Sequence, residues 1–245
     1  MDSTEILAGP VDDVQVQRSA ASSSRRRWED LSLVVLIAVV PLFLSAAFSL
    51  FYPAQRATQA RLWGGTASLI RAFSSVVLIL YVLNRRGQNL ASIGFKPRWL
   101  DLAHGVGLTL GGLFLSTVFA VIVWKSSFYT DPFWGMRDAR TIFAGETSVM
   151  FFLTALFSSV FEETVVRAFV MTDLMSLSCP VWLAAAASVV LQTSYHLYYG
   201  VGGALVTSGV FIVFACYFAV SRRLAPLIVA HLAFDIVAGL PRFFS

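Results

Sequence analysis

Charged residues are scarce in this 245-residue sequence. Asp, Glu, Lys and Arg make up 13% of it and hydrophobic residues 57%, whereas soluble globular domains carry about 25% charged residues. The apolar residues form many long runs rather than one, which excludes a soluble core with a single anchor. The sequence therefore predicts an all-α, polytopic integral membrane protein built as one helical domain.

Cysteine and lysine are also rare. Cys179 and Cys216 are far apart and form no CxxC pair, so core packing is their expected role. Arginine outnumbers lysine sixteen to two, as in GC-rich bacterial genomes, and the formal charge of +4 comes mainly from arginines beside apolar runs. No basic stripe with interleaved aromatics is present, so nucleic acid is not an expected partner.

Seven apolar segments follow a polar leader. Residues 1–30 are polar and serine-rich and end in an arginine cluster, which predicts a disordered cytoplasmic tail with a cationic membrane stop. Residues 31–245 are predicted to form the membrane domain, because about 20 apolar residues in a helix cross a hydrocarbon core. The predicted spans are residues 31–51, 66–83, 102–124, 147–177, 181–198, 204–220 and 224–240.

Tryptophan and cationic residues predict the orientation of these spans. All six tryptophans fall at span ends or in loops, as interfacial aromatic belts do. With seven spans, a cytoplasmic amino terminus places ten Lys and Arg residues inside and six outside. The positive-inside rule thus predicts a cytoplasmic amino terminus, in what we expect to be a bacterial plasma membrane.

Two adjacent carboxylates and an arginine interrupt the fourth predicted span. On a helix, Glu163 and Arg167 are i,i+4 neighbours that can form an ion pair. Glu162 is rotated by about 100° from Glu163 and can face a different partner. One carboxylate is then held by the arginine, while the other is available for chemistry.

Three more ionisable residues lie in the later spans: His196, His231 and Asp235. Such residues are costly in a membrane, at roughly 2.5–3.5 kcal/mol for an Asp, and usually functional. His231 and Asp235 are i,i+4 neighbours and can act together. The alternative is that these residues only link helices. A residue count places Glu162 and His231 nearer the inner side, but His196 nearer the outer side.

At these residues the chain resembles the CAAX protease and bacteriocin-processing (CPBP) family of intramembrane endopeptidases, also called the Abi family. The family motifs are EExxxR, FxxxH, and HxxxN or HxxxD. This sequence has Glu162-Glu163 with Arg167, then His196, then His231 with Asp235. It departs from the pattern at Gln192, where the family has an aromatic residue, and this change is expected to alter the pocket lining rather than the chemistry. The resemblance places the protease core at residues 147–240, in the last four spans.

The resemblance implies peptide-bond hydrolysis by activated water. Glu162 would be the general base, His196 would position the water, His231 and Asp235 would stabilise the oxyanion, and Glu163 with Arg167 would orient the site. Two histidines and carboxylates also suit zinc, so a metal held by the four principal residues stays open, although no HExxH pair occurs. No other cofactor is implied.

Two other classes of function remain open from the sequence. A non-catalytic membrane scaffold or bacteriocin self-immunity protein could share the fold, but it would be expected to lack a motif residue. A proton-coupled carrier also uses buried Glu, His and Asp, but no inverted repeat is visible. For an endopeptidase, the expected partners are membrane lipid and a membrane-associated or lipidated peptide or protein substrate.

Overall fold

The computed structural model describes residues 23–52, 65–126, 131, 134–136 and 148–239. These residues form helices and no strand, which confirms the all-α prediction. Five helices are long and apolar enough to cross a membrane, and two are shorter. The helices are α1 (Ser23–Phe51), α2 (Gly65–Arg85), α3 (Asp101–Trp124), α4 (Ser148–Glu162, Glu163–Met171 and Thr172–Ser176, continuous), α5 (Val181–Tyr195), α6 (Gly200–Ser221) and α7 (Ala225–Gly239).

The first helix begins before the apolar segment that predicted it. Residues 1–22 of the predicted disordered tail lie outside the described residues, but α1 already starts at Ser23. Arg25 and Glu29 form an i,i+4 ion pair at 3.0 Å on its polar first turns. Hydropathy marks the apolar part of a helix and not its polar end, so α1 begins eight residues before the apolar segment, within residues predicted to be disordered.

Pro41 disturbs α1, as a proline inside a helix must. The preceding turn, Val35–Val39, is π-helical, and regular α-helix resumes at Val40. A π-bulge accommodates a missing backbone donor by shifting the hydrogen-bond register.

Ion pairs join the helix ends at one face of the bundle, here called the charged face. Arg86, just after α2, bonds Asp30 of α1 at 2.7 Å and Asp173 of α4 at 2.8 and 2.9 Å. Arg223, just after α6, pairs with Asp101 at the start of α3. These contacts bring the starts of α1 and α3 and the ends of α2, α4 and α6 to one side, as alternating spans require.

Small residues bring α3 close to its neighbours. A Cβ at Gly112 would lie 2.9 Å from the Phe234 ring of α7, and a Cβ at Gly209 of α6 would lie 2.8 Å from the backbone nitrogen of Ser116. Gly107, by contrast, faces open space. Helix contact through glycine therefore holds for some positions of α3 and not for others.

Helix α5 is too short to cross the membrane, and this positions the site. Its 15 residues rise about 22 Å, after which a 3-10 turn, Leu197–Tyr199, and Gly200 with φ +81° reverse the chain. The predicted span 181–198 was therefore drawn too long. His196 lies part-way through the bundle, level with Glu162, and not nearer the outer side as residue counting indicated.

Candidate active site

A cavity of about 300 Å³ brings the four principal residues together. Glu162 of α4, His196 after α5, and His231 and Asp235 of α7 all line it. The rest of its wall is mostly apolar or hydroxyl-bearing and includes Ser116, Phe151, Thr154, Ser158, Tyr198, Val206, Thr207, Val210, Phe211 and Phe234. Residues separated by up to 73 positions in the sequence thus meet in one pocket.

The middle of α4 is π-helical from Glu163 to Met171, and all nine of these residues are buried. A π-helix widens the turn and often occurs at functional sites. It starts directly after Glu162, which lines the cavity, and it places Glu163 and Arg167 in the protein interior, each with 0% exposure. The two adjacent carboxylates therefore face different surroundings, as the sequence predicted.

Two side chains of α5 hold the Glu162 carboxylate. Gln192 Nε2 donates to its Oε2 at 2.9 Å, and the Tyr195 hydroxyl donates to the same oxygen at 3.0 Å. Oε1 accepts a longer bond, 3.3 Å, from the Ser158 hydroxyl. Gln192 thus contacts the carboxylate directly and is not part of the cavity wall, where the departure from the family pattern was expected to act.

His196 has one ring nitrogen anchored. Its Nδ1 lies 2.8 Å from the Gln192 carbonyl oxygen, and because a carbonyl only accepts, Nδ1 carries the hydrogen. The ring packs 4.7 Å from Phe211 and 4.9 Å from Tyr195, centroid to centroid. Nε2 is then the nitrogen left to interact with a molecule in the cavity.

His231 is held by Glu163. Its Nδ1 lies 2.7 Å from Glu163 Oε1, while its Nε2 lies 3.8 Å from Asp235 Oδ1. The sequence predicted a unit of His231 with Asp235 on one helix face; the structure adds a shorter bond to Glu163, from another helix. Asp235 itself has a side chain 33% exposed and an oxygen 3.5 Å from the Ser159 hydroxyl.

Arg167 completes this chain of contacts. Its Nε lies 3.6 Å from Glu163 Oε2, which confirms the predicted i,i+4 ion pair. Nη2 donates to the Phe211 carbonyl at 3.3 Å, and the guanidinium lies 5.4 Å and 5.9 Å from the ring centroids of Phe211 and Phe214. The fully buried arginine is thus stabilised by one carboxylate and two aromatic faces.

The arrangement was tested for a metal centre. Among the described residues, no group of three or more His, Cys, Asp and Glu side chains is placed to hold a metal ion. The Nδ1 atoms of His196 and His231 already bond to a carbonyl and a carboxylate. These bonds leave both Nε2 atoms free, as they are in metal-binding histidines, but no third ligand is placed with them among the described residues, and no catalytic step is assigned to a metal.

The two missed site residues carried weak signals. Gln192 is four residues before His196, on the same helix face, and it marks the departure from the family pattern. Tyr195 directly precedes His196, but its contact with Glu162 depends on where α5 ends, which the apolar pattern does not indicate.

Comparisons with known proteins agree with this geometry. Residues 144–237 match the family model described as type II CAAX prenyl endopeptidase Rce1-like. No curated protein and no solved structure matches the chain. The matched residues reach from just before α4 into α7. They include the four principal residues as well as Glu163, Arg167, Gln192 and Tyr195. Over these 94 of its 245 residues the chain is thus similar to CAAX prenyl endopeptidases, which supports the resemblance of its motifs to the CAAX protease and bacteriocin-processing family.

Proposed function

We propose that this protein is an intramembrane endopeptidase that hydrolyses a peptide bond with water activated by Glu162. The observation that carries the proposal is the convergence of Glu162, His196 and His231, from three parts of the chain, on one cavity. A carboxylate beside two imidazoles in a partly apolar pocket is suited to general base catalysis and to stabilising a developing negative charge.

Glu162 has one oxygen suited to accept a proton. Oε2 already accepts two hydrogen bonds, from Gln192 and Tyr195, which fix the carboxylate plane. Oε1 has the longer contact with Ser158 and is the proposed proton acceptor. As the water oxygen attacks the carbonyl carbon, one water proton passes to Oε1 and later to the leaving amine. The Nε2 atom of His196 orients the same water.

His231 is the proposed donor to the oxyanion. Because its Nδ1–H is directed to Glu163, Nε2 carries a proton only in the imidazolium form. The Glu163 carboxylate stabilises that charge and fixes the ring orientation, and Arg167 in turn holds Glu163. Asp235, 3.8 Å from Nε2, also favours the imidazolium; in this proposal it supports His231 and is not an independent donor.

The cavity indicates the class of substrate. It extends along α4 from Glu162 to Phe151, in the direction away from the charged face. This is a length of roughly 16 Å along the helix axis. Its wall combines aromatic and aliphatic side chains with hydroxyls, which suits an extended peptide segment that is itself apolar or lipidated. We further propose that the charged face is cytoplasmic, as the positive-inside rule indicates.

The test is hydrolysis by purified protein in proteoliposomes. Wild type and Glu162→Ala are incubated with quenched fluorescent peptides, with and without a chelator, and the new termini are identified by mass spectrometry. We expect cleavage by wild type that is unaffected by chelator and absent in the variant. Cleavage lost with chelator would contradict the metal-free mechanism. No cleavage by folded wild type across apolar and lipidated peptides would favour a scaffold, self-immunity or carrier role.

A further inference from the structure

A second cavity, of about 480 Å³, lies at the charged face and is separate from the candidate active site. Its wall combines the connection between α2 and α3 with the end of α6. It is lined by Ala91, Ser92, Ile93, Gly94, Lys96, Arg98, Thr172, Phe218, Ser221, Arg222 and Arg223. A volume of this size is within the range of ligand-binding clefts.

Cations dominate this cleft. Lys96, Arg98, Arg222 and Arg223 line it. Among the described residues, only Arg223 of these four has a carboxylate partner, Asp101. Elsewhere at this face Arg85 and Arg86 are paired with Asp30 and Asp173. The cleft therefore holds three positive charges without a carboxylate partner among the described residues, next to the hydroxyls of Ser92, Ser221 and Thr172.

The backbone that forms the cleft is held in place. Gly94 has φ +95° and Arg222 has φ +53°, both in the left-handed region. The Leu224 amide donates to the Gly94 carbonyl at 3.0 Å, and a Cβ at Gly94 would clash with the Arg222 carbonyl oxygen. Non-glycine residues rarely adopt this conformation, so Arg222 is fixed by its surroundings. The cationic side chains thus extend from a preorganised turn.

An apolar surface begins beside the cleft. Trp99, directly after Arg98, is 79% exposed, and α3 then presents Leu102, Val106 and Leu110 at 60–64% exposure, one helical turn apart. In a membrane such a stripe contacts acyl chains, and an exposed tryptophan lies at head-group level. A lipid fits this combination better than free phosphate does, because its phosphate meets the cations while its chains follow α3.

We propose that this cleft binds the phosphate-bearing head group of an anionic membrane lipid. The phosphodiester would be held by Lys96, Arg98 and Arg222 through charge-assisted hydrogen bonds. Basic pockets between membrane helices are suited to this ligand chemistry. The site lies where the α2–α3 connection meets the end of α6, so bound lipid would stabilise the packing of α3 and α6, which together form part of the catalytic cavity.

The test is lipid retention measured by native mass spectrometry. Full-length protein is equilibrated in detergent with phosphatidylglycerol or with phosphatidylcholine, and bound lipid is counted as detergent is removed. Wild type is compared with Lys96→Gln/Arg98→Gln and with a matched control, Arg25→Gln/Arg26→Gln, which removes two positive charges from the first turns of α1, at the same face but outside the cleft. At about fivefold for each of the two cations removed, we expect about 25-fold weaker retention of phosphatidylglycerol in the cleft variant.

We expect the cleft variant to lose bound phosphatidylglycerol and the control variant to keep it. Wild type should retain phosphatidylglycerol in preference to phosphatidylcholine. The charge-preserving variant Lys96→Arg/Arg98→Lys should retain the lipid, which separates loss of charge from loss of fold. Equal losses in the cleft and control variants would overturn the proposal. Displacement of the lipid by millimolar inorganic phosphate would show a phosphate site that needs no acyl chain, and would overturn the assignment to lipid.

Discussion

Glu163→Gln should destabilise the bundle strongly, because it removes the charge that compensates Arg167. The guanidinium is fully buried, and its Nε lies 3.6 Å from the Glu163 carboxylate. After the change it keeps only the Phe211 carbonyl and two aromatic faces among the described residues. Removing one partner of a buried ion pair costs about 3–5 kcal/mol. The free energy of unfolding of Glu163→Gln should therefore be lower than that of wild type by about 3–5 kcal/mol.

The double variant separates this explanation from a general loss of packing. Arg167→Met alone removes the arginine from the buried Glu163 carboxylate, which keeps its bond to His231, and should cost about 3 kcal/mol. Glu163→Gln/Arg167→Met removes both charges and keeps similar volumes, so it should cost less than the sum of the single changes by about 2 kcal/mol.

The assay is reversible unfolding in mixed micelles, followed by tryptophan fluorescence as denaturing detergent is added. Wild type, both single variants and the double variant form the cycle. A coupling energy above 1 kcal/mol would support the buried pair. Additive effects within about 0.5 kcal/mol would refute it, since independent sites add in that way.

Three further predictions concern single contacts. Gln192→Leu should lower kcat about 10- to 100-fold with little change in KM, because Glu162 loses one of two donors to Oε2. Steady-state cleavage measures this, and a change confined to KM would contradict the prediction. Gly209→Ala should lower the free energy of unfolding by about 2 kcal/mol, since its Cβ would meet the backbone of α3, whereas Gly107→Ala faces open space and should not; equal effects would contradict this packing. Arg86→Gln should cost about 2 kcal/mol. Burial lowers the pKa of Arg86, but two carboxylates raise it more, so the net shift is upward. The stabilisation that Arg86 provides is therefore complete below the pKa that it has in the unfolded chain and is lost only above that pKa. The difference in unfolding free energy between wild type and Arg86→Gln should stay constant between about pH 6 and 10 in unfolding titrations.

Much of the fold follows from short-range patterns in the sequence. Apolar runs of about 20 residues predict membrane helices because their length matches the hydrocarbon core. The i,i+4 spacing of Glu163 and Arg167 predicted an ion pair that the structure contains. Such features depend on neighbours within one helix, so a single sequence is sufficient to show them.

Contacts between helices were less predictable. The bond from His231 to Glu163 joins residues 68 positions apart, and nothing in the spacing within α7 indicates it. The contacts of Gln192 and Tyr195 with Glu162 depend on the early end of α5. The polar residues 192–194 precede that end and the apolar Leu197 follows it, so hydropathy alone does not mark where the helix stops. The sequence predicted four residues that the structure brings to one cavity, but not which side chains hold them.

The most direct test of the central claim is the single-turnover rate of peptide cleavage by Glu162→Gln and by wild type, in the same proteoliposomes. The amide has nearly the same shape as the carboxylate but cannot take a proton from water. General base catalysis contributes about 10²- to 10⁴-fold, so the account predicts a rate at least 100-fold lower, with helical content and unfolding midpoint unchanged. A rate within tenfold of wild type would show that Glu162 is not the base.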